Sequence, residues 1–396
     1  MAGPTGSRDI QSKSGSRKVV INGRFLCQPV TGVQRVAIEY LHAIDSLLAA
    51  GELGDIDVEV VVPASSPLLT TPALRQIKVT PHGRYSGHLW EQLELARYAR
   101  GSDLICFGNV APALSLFSTR TRVLTMVHDL SFVYFPKAYN WRFRWLYRVL
   151  VPLALRRSDV TVTVAEVERE SILRHYKLER KSADLHVLQN GALREGVSKN
   201  TPLQAYAERA PEILYVGSLT RRKNAENLLI AASTLVEQED TDFVVIGANG
   251  HNFSSAVGGA AYPPEFRFLG QIDDASAVYA HMRSARLFLF PSLYEASPLP
   301  PIEAMANGCP VVAADIPSIR ERCGDAVLYC DPHRPESIAH VATELLTDHA
   351  LWNQMQQRGL EKASQYSWSK QAQRLMAFLD DAAHPAGAPR SSPTGA

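Results

Sequence analysis

The sequence predicts an α/β protein of two Rossmann-like, doubly wound parallel-sheet domains facing a cleft, and three observations predict it. Short β-rich runs alternate with helix-period segments from Val19 onward. The alternation occurs twice, once in each half of the chain. A polar stretch containing Lys199, Asn200, Thr201 and Pro202 separates the two halves, as an interdomain linker does. With 396 residues, 46% of them apolar, the chain has material for two cores. The expected organisation is a disordered tail at 1–18, a first domain at 19–195, a linker at 196–210 and a second domain at 211–365. A helix at 366–382 then returns to the first domain, and a Pro-, Gly-, Ser- and Ala-rich tail at 383–396 is disordered. Two such domains place ligands at the carboxyl ends of strands that face the cleft.

Taken in order, the strands of the first half are Val19 to Asn22, Val58 to Val62, Leu104 to Phe107, Val123 to Val127 and Val160 to Val164. Those of the second half are Ile213 to Val216, Phe243 to Ile246, Phe266 to Leu269, Leu287 to Phe290 and Val311 to Ala313. After the first strand, Thr31-Gly32 opens a helix whose apolar residues Val33, Val36, Ala37, Tyr40, Leu41 and Ile44 recur at helical spacing. Gly32 either lets backbone approach a phosphate at that helix start or simply begins the helix.

Bulk properties narrow the partners. Lys plus Arg total 41 against 40 acidic residues, so there is no global basic field for nucleic acid. The cysteines Cys27, Cys106, Cys309, Cys323 and Cys330 have neither paired C-x-x-C spacing nor an accompanying histidine pattern, and read as reduced thiols of a cytoplasmic protein. The first eighteen residues lack the apolar core of a secretory signal, and no apolar run approaches the ~20 residues of a membrane span. Any membrane contact is therefore expected to be peripheral.

The densest chemistry lies in Phe290-Pro-Ser-Leu-Tyr-Glu-Ala-Ser-Pro-Leu-Pro-Pro-Ile-Glu-Ala-Met-Ala-Asn-Gly-Cys-Pro310. A strand ends at Phe290, Glu295 follows on a loop, Pro300 and Pro301 start a short helix, and Gly308 and Pro310 stop it. The helix start is a seat for a diphosphate, served by the amides of Leu299 and Ile302 because the prolines have none. Glu303 in its first turn can accept both hydroxyls of a ribose, or it can stabilise its own helix terminus. Arg222 and Lys223, after the strand that ends at Val216, suit a leaving diphosphate, while a run of three basic residues also suits a solvated face. His128 emerges at the carboxyl end of a strand, where it serves either the site or the structure.

The segment Lys137 to Arg157 carries six basic residues and no acidic residue before Asp159. Helical spacing puts Phe143, Leu146, Leu150 and Leu153 on one face, packed on the domain. Trp141, Arg144, Trp145 and Arg148 share the other face, which fits either a headgroup interface with an anionic membrane or an ordinary solvated basic surface.

Two glutamates separated by seven residues, in Glu-Ala-Ser-Pro-Leu-Pro-Pro-Ile-Glu, resemble the signature of the retaining glycosyltransferase family 4, whose members have the GT-B fold. Tyr215 to Asn224, Asn190-Gly191, Phe268 to Gly270 and the Tyr-Ser-Trp ending at Trp368 match as well, so the resemblance runs from about Val19 to Leu379. It is nearest to bacterial polysaccharide mannosyltransferases. The resemblance implies that Glu303 binds the donor ribose and Glu295 lies beside the donor sugar. It further implies that Gly32, Arg222, Lys223 and Leu299 face the donor and that His128 acts at the reacting centre. Three positions depart from the family pattern: Pro298 replaces a glycine, Ser218 stands where many members have arginine, and Ala165 replaces a serine.

The function expected on this basis is retaining transfer of a hexose, mannose first, from a nucleotide-diphosphate sugar to a lipid-linked or oligosaccharide acceptor in envelope or exopolysaccharide biosynthesis. The protein would work in the cytoplasm, with peripheral contact to the inner face of the plasma membrane. No cofactor or metal is expected, since the Asp-x-Asp at Asp55-Ile-Asp57 precedes a strand. A dehydrogenase is excluded for want of G-x-G-x-x-G after the first strand. A GT-B sugar-nucleotide epimerase or phosphorylase, and a non-catalytic nucleotide-sugar-binding protein, remain as alternatives.

Overall fold

The computed structural model describes residues 16–178, 184–194, 203–247 and 262–383. Most of both expected tails, and the first part of the expected linker, 196–202, lie outside the described residues. The first half contributes β1 (Arg17–Asn22), β2 (Ile56–Pro63), β3 (Lys78–His82), β4 (Asp103–Cys106), β5 (Arg122–Met126), β6 (Val160–Thr163) and β7 (Leu185–Val187). They form one sheet in the order β3-β2-β1-β4-β5-β6-β7. The second half contributes β8 (Ala210–Val216), β9 (Asp242–Ile246), β10 (Phe266–Gly270), β11 (Ala285–Phe290), β12 (Val311–Ala314) and β13 (Leu328–Cys330). Their order is β10-β9-β8-β11-β12-β13, and all five pairings are parallel. The two-sheet α/β architecture is the one expected.

Three strands were not anticipated: β3, β7 and β13. Each lies at a sheet edge, where, among the described residues, one side has no neighbouring strand to bury it. The central strands read clearly because both their faces are covered, and Phe288, Leu289 and Phe290 of β11 are fully buried.

The described residues divide into two compact units: those within 1–127, 136–161 and 375–396, and those within 128–135 and 162–374. In the first unit, Val20, Val61, Trp90, Leu104 and Val123 belong to one core. The helix Gly32–Ala49 buries Val36, Ala37, Tyr40, Leu41 and Ile44, as its spacing predicts. In the second unit a core on one side of the β8–β13 sheet includes Phe288, Phe290, Ile302 and Met305. The core on the other side includes Tyr215, Leu228, Leu287 and Trp352.

The helix Trp141–Arg157 forms within the segment read as helical from Lys137, with Asn140 as its N-cap accepting from the Phe143 amide at 2.8 Å. Its buried ridge is rotated from the expected one. Tyr147, Leu150, Val151, Ala154 and Leu155 are buried, whereas Phe143, Leu146 and Leu153 are only half-buried. Trp141 and Trp145 stand 71% and 65% exposed, and Arg148 is exposed. Arg144 does not share their face fully, for it is half-buried with its Nε shielded from solvent. Among the described residues, no helix is long and apolar enough to cross a membrane.

Candidate functional site

Strand order in the second unit reverses between β8 and β11, so the loops leaving these neighbours diverge and open a crevice at their carboxyl ends. Lys223 comes from the loop after β8 and Glu295 from the loop after β11. The turn after β8 is held close to the one after β9. A Cβ on Gly247, whose φ is +145°, would lie 2.2 Å from the Gly217 carbonyl oxygen.

Within this crevice Lys223 Nζ donates to Glu295 Oε1 at 2.5 Å, and Arg222 Nη1 lies 3.5 Å from Glu295 Oε2. The side chains of Lys223 and Glu295 are only 12% and 9% exposed. Lys223 also sits 5.0 Å from the centroid of the Phe290 ring. Burial alone would push the Glu295 carboxyl up. The opposing charges of Lys223 and Arg222 outweigh burial and hold it below the ordinary carboxylate range. Burial pulls the Lys223 ammonium down, against the attraction of Glu295. Arg221, next in the basic run, is exposed. The run thus splits into one solvated cation and two that face a carboxylate.

The two loops are laced together around this pair. The Asn224 side-chain amide donates to the carbonyls of Pro291 at 2.9 Å and Pro332 at 2.6 Å. Its backbone adopts φ 62°, a left-handed conformation that asparagine tolerates better than most residues, and caps the helix Ala225–Gln238. Arg222 Nη1 donates to the Tyr294 carbonyl at 3.0 Å, and the Leu293 amide donates to the Arg222 carbonyl at 3.0 Å.

Glu303 lies in the helix Pro300–Ala306, which has Leu299 at its N-cap and prolines at its first two positions. The Glu303 side chain is 2% exposed, and its Oε1 accepts from the Tyr279 hydroxyl at 3.3 Å. Leu299 is buried, and its carbonyl accepts from the Glu303 amide at 3.0 Å.

Several matching segments cited from the sequence meet physically. Arg322, buried, donates through Nε to the Pro298 carbonyl at 3.0 Å and through Nη2 to the carbonyls of Asn190 at 2.9 Å and Gly191 at 3.2 Å. Its guanidinium stacks 4.6 Å from the Tyr366 ring centroid. A Cβ on Gly191 would lie 2.4 Å from the Trp368 ring, so the Asn-Gly and Tyr-Ser-Trp pieces need each other. The loop around Pro298 is therefore held from behind by a buried cation. Nothing near Arg322 in sequence signals that role.

His128 is buried and belongs to the second unit. Its following residue, Asp129, accepts from the Ser131 amide at 3.0 Å and hydroxyl at 2.7 Å. The Leu130 amide donates to Glu168 at 3.1 Å, and the Tyr294 hydroxyl donates to the same carboxyl at 3.2 Å. Sequence reading overlooked Glu168 and Tyr294, which join the loop carrying His128 to the one carrying Glu295.

The remaining expected site residues lie in the first unit. Gly32 is exposed at the start of its helix, capped by Thr31, and a Cβ there would meet nothing within 4 Å. Packing within the unit therefore does not demand glycine. Trp141, Trp145 and Arg148 present an outward surface, with Arg144 at its margin. Asp55 and Asp57 flank the first residue of β2.

Comparison with known proteins adds identity to this geometry. The family model described as Glycosyltransferase Family 4 matches residues 31–192, and the one described as Glycosyl transferases group 1 matches residues 201–362. The O-antigen chain mannosyltransferase B of Escherichia coli is 28% identical over 259 residues, covering 62% of this chain and 67% of that protein. A phosphatidyl-myo-inositol mannosyltransferase of Mycobacterium leprae is 26% identical over 226 residues, covering 56% of this chain and 60% of that protein. Among solved structures, Anabaena HepE in complex with UDP and glucose superposes with a TM-score of 0.68 at 15% identity, covering 92% of this chain and 99% of that one. WaaG, a glycosyltransferase involved in lipopolysaccharide biosynthesis, superposes with a TM-score of 0.65 at 15% identity, covering 91% and 99%.

Proposed function

The chain belongs to the GT-B glycosyltransferases, and from that premise we propose that it moves a hexose, mannose first, from a nucleotide-diphosphate sugar to a lipid-linked or polysaccharide acceptor of envelope or exopolysaccharide biosynthesis, retaining the anomeric configuration. The observation that carries the reading is the shielded Lys223–Glu295 pair, with Arg222 beside it, at the strand-order reversal of the second unit. The mannosyltransferase names of the two curated relatives support the choice of sugar.

In this reading Glu303 accepts the ribose hydroxyls, while Gly32 and the Leu299 amide approach the donor phosphates. Lys223 and Arg222 neutralise the charge that grows on the diphosphate as the glycosidic bond breaks. Glu295 holds both cations in place and faces the sugar, and His128 stabilises the reacting centre. The acceptor hydroxyl attacks on the face the diphosphate leaves, which gives an α-linked product. Because two side-chain cations serve the diphosphate, the reaction calls on no resident metal or cofactor. Trp141, Trp145, Arg148 and the margin residue Arg144 supply contact with an anionic membrane surface, each cation adding about 1 kcal/mol there. The protein accordingly works in the cytoplasm, at the inner face of the plasma membrane.

The test is incubation with labelled GDP-mannose, UDP-glucose and related donors, with and without a lipid-linked glycan acceptor. Label should reach the acceptor, preferentially from GDP-mannose, and linkage analysis should return an α-glycoside. Conversion of donor without acceptor points instead to an epimerase. Full transfer by a Glu303→Ala, Lys223→Ala double variant would remove both residues from the donor site.

A further inference from the structure

The helix Glu166–Tyr176 carries three glutamates in its first turns, Glu166, Glu168 and Glu170. Glu166 and Glu170 are exposed, as helix-surface carboxylates should be, whereas Glu168 is 3% exposed. Burying a carboxylate costs several kcal/mol unless a cation and hydrogen bonds repay it. Among the described residues, neither of the two groups that bond to Glu168 is a cation. One is the Leu130 amide, at 3.1 Å from Oε1, and the other is the Tyr294 hydroxyl, at 3.2 Å from Oε2. The groups facing it that ionise are Asp129, of like charge, and Tyr294, with Tyr134 next to them. A neutral residue would be the more stable occupant of this position.

What the carboxyl does accomplish is to join two loops. Leu130 follows His128 by two residues, and Tyr294 immediately precedes Glu295. Tyr294 is itself gripped on three sides. Its ring lies 5.9 Å from that of Tyr134 and 5.3 Å from that of Phe135, and its carbonyl accepts from Arg222 at 3.0 Å. Bonds and neighbouring residues thus run from His128 through Leu130, Glu168 and Tyr294 to Glu295 and Arg222, all within the second unit.

We propose that Glu168 is a positioning residue for sugar transfer, whose two carboxyl oxygens fix the turn after His128 against the loop that delivers Glu295. This rests on the reading of the site given above. Glu168 touches no substrate in it. It sets the relation between two groups that do, and misplacement by about an ångström costs on the order of a hundredfold in rate.

The test uses the full chain with Glu168→Gln, Tyr294→Phe and the double variant. Gln keeps one acceptor oxygen and turns an amide group towards the other donor, so one bond is lost. Phe removes only a hydroxyl and leaves the ring packing intact. Each single variant should lower kcat about tenfold or more, with the donor KM moved less than about threefold and no loss of melting temperature at pH 8. The double variant should be no slower than the slower single one, because both changes break one clamp. In native-state hydrogen exchange, the amides of 129–135 should lose protection in Glu168→Gln. A wild type that transfers sugar while both variants keep kcat within about twofold, or lose only donor KM, overturns the positioning role and leaves the function standing. If the wild type transfers no sugar, the functional reading falls, and unchanged exchange protection in the variant then overturns the clamp as well. Should Glu168→Gln fail to fold, Tyr294→Phe decides.

Discussion

Glu168 carries a stability cost whose sign can be worked out. Burial first, then the charge of Asp129, pushes its carboxyl up to about 7. In the unfolded chain a glutamate titrates near 4.3. Between these values the folded chain holds the proton more often than the unfolded chain does, so this group makes stability fall as pH rises through about 7, levelling off above it. The full effect is on the order of 3 kcal/mol. Glutamine cannot ionise, so the melting temperature of Glu168→Gln relative to wild type should shift upward by several degrees between pH 5 and pH 8. An identical difference at both pH values would show that the fold does not raise the Glu168 carboxyl above its unfolded value. The Lys223–Glu295 pair makes a contrasting case. Lys223→Met leaves a shielded carboxylate with only the more distant Arg222, and should cost about 3 to 5 kcal/mol in urea denaturation. Adding Glu295→Leu should recover most of that loss, since replacing both partners removes the unpaired charge. A double variant less stable than the single one contradicts this account.

At the scale of elements, the helix Trp141–Arg157 shows what sequence pattern conveys and where it runs out. Its helical character and its outward tryptophans were legible from spacing, although the basic segment was read from Lys137 and the helix begins at Trp141. Its buried ridge was not, because aromatic and aliphatic residues occur on both faces and the apolar stripe has two readings about one residue apart. Tyr147 and Val151 occupy the inner face, while Val149 stands exposed beside Arg148. Val151→Asp should therefore destabilise the first unit by several kcal/mol, from an unpaired buried charge. Trp145→Ala should stay within about 0.5 kcal/mol of wild type, as surface changes do. Thermal denaturation separates the two, and a Val151→Asp loss as small as that of Trp145→Ala would return the ridge to its expected position. The same Trp145→Ala protein, and one with Arg144 and Arg148 reversed in charge, should float less with anionic liposomes if this face meets a membrane. The strands follow a similar rule. Central parallel strands announced themselves as apolar runs, while β3, with Pro81 within it, and the three-residue β7 and β13 did not. In the site, Glu295, Lys223 and Arg222 could be found because each sits just beyond a strand. Glu168 and Arg322 could not, for their partners are distant in sequence and only the fold brings them near.

At the scale of the whole molecule, the last helix, Trp368–Ala383, is divided between the units, with Trp368 to Arg374 in the second and Leu375 onward in the first. In the latter part Leu375, Met376 and Leu379 are buried, and Asp380 ion-pairs with Arg17, which also pairs with Asp103. Arg17 opens β1, whose residues Val19 to Ile21 pair with both β2 and β4 at the centre of the first sheet. Each of the three apolar side chains contributes about 1.5 to 3 kcal/mol by burial, so together they rival the 5 to 15 kcal/mol that holds a typical domain folded. Truncation after Arg374 should therefore unfold the first unit while sparing the second, which has its own cores and retains Lys223, Glu295 and Glu303. In native-state hydrogen exchange the amides of β1, β2 and β4 should lose protection, and those of β8, β11 and β12 should keep it. Uniform loss along the chain would mean that the units unfold together, and unchanged protection in β1 would mean that the end of the helix contributes little to the sheet.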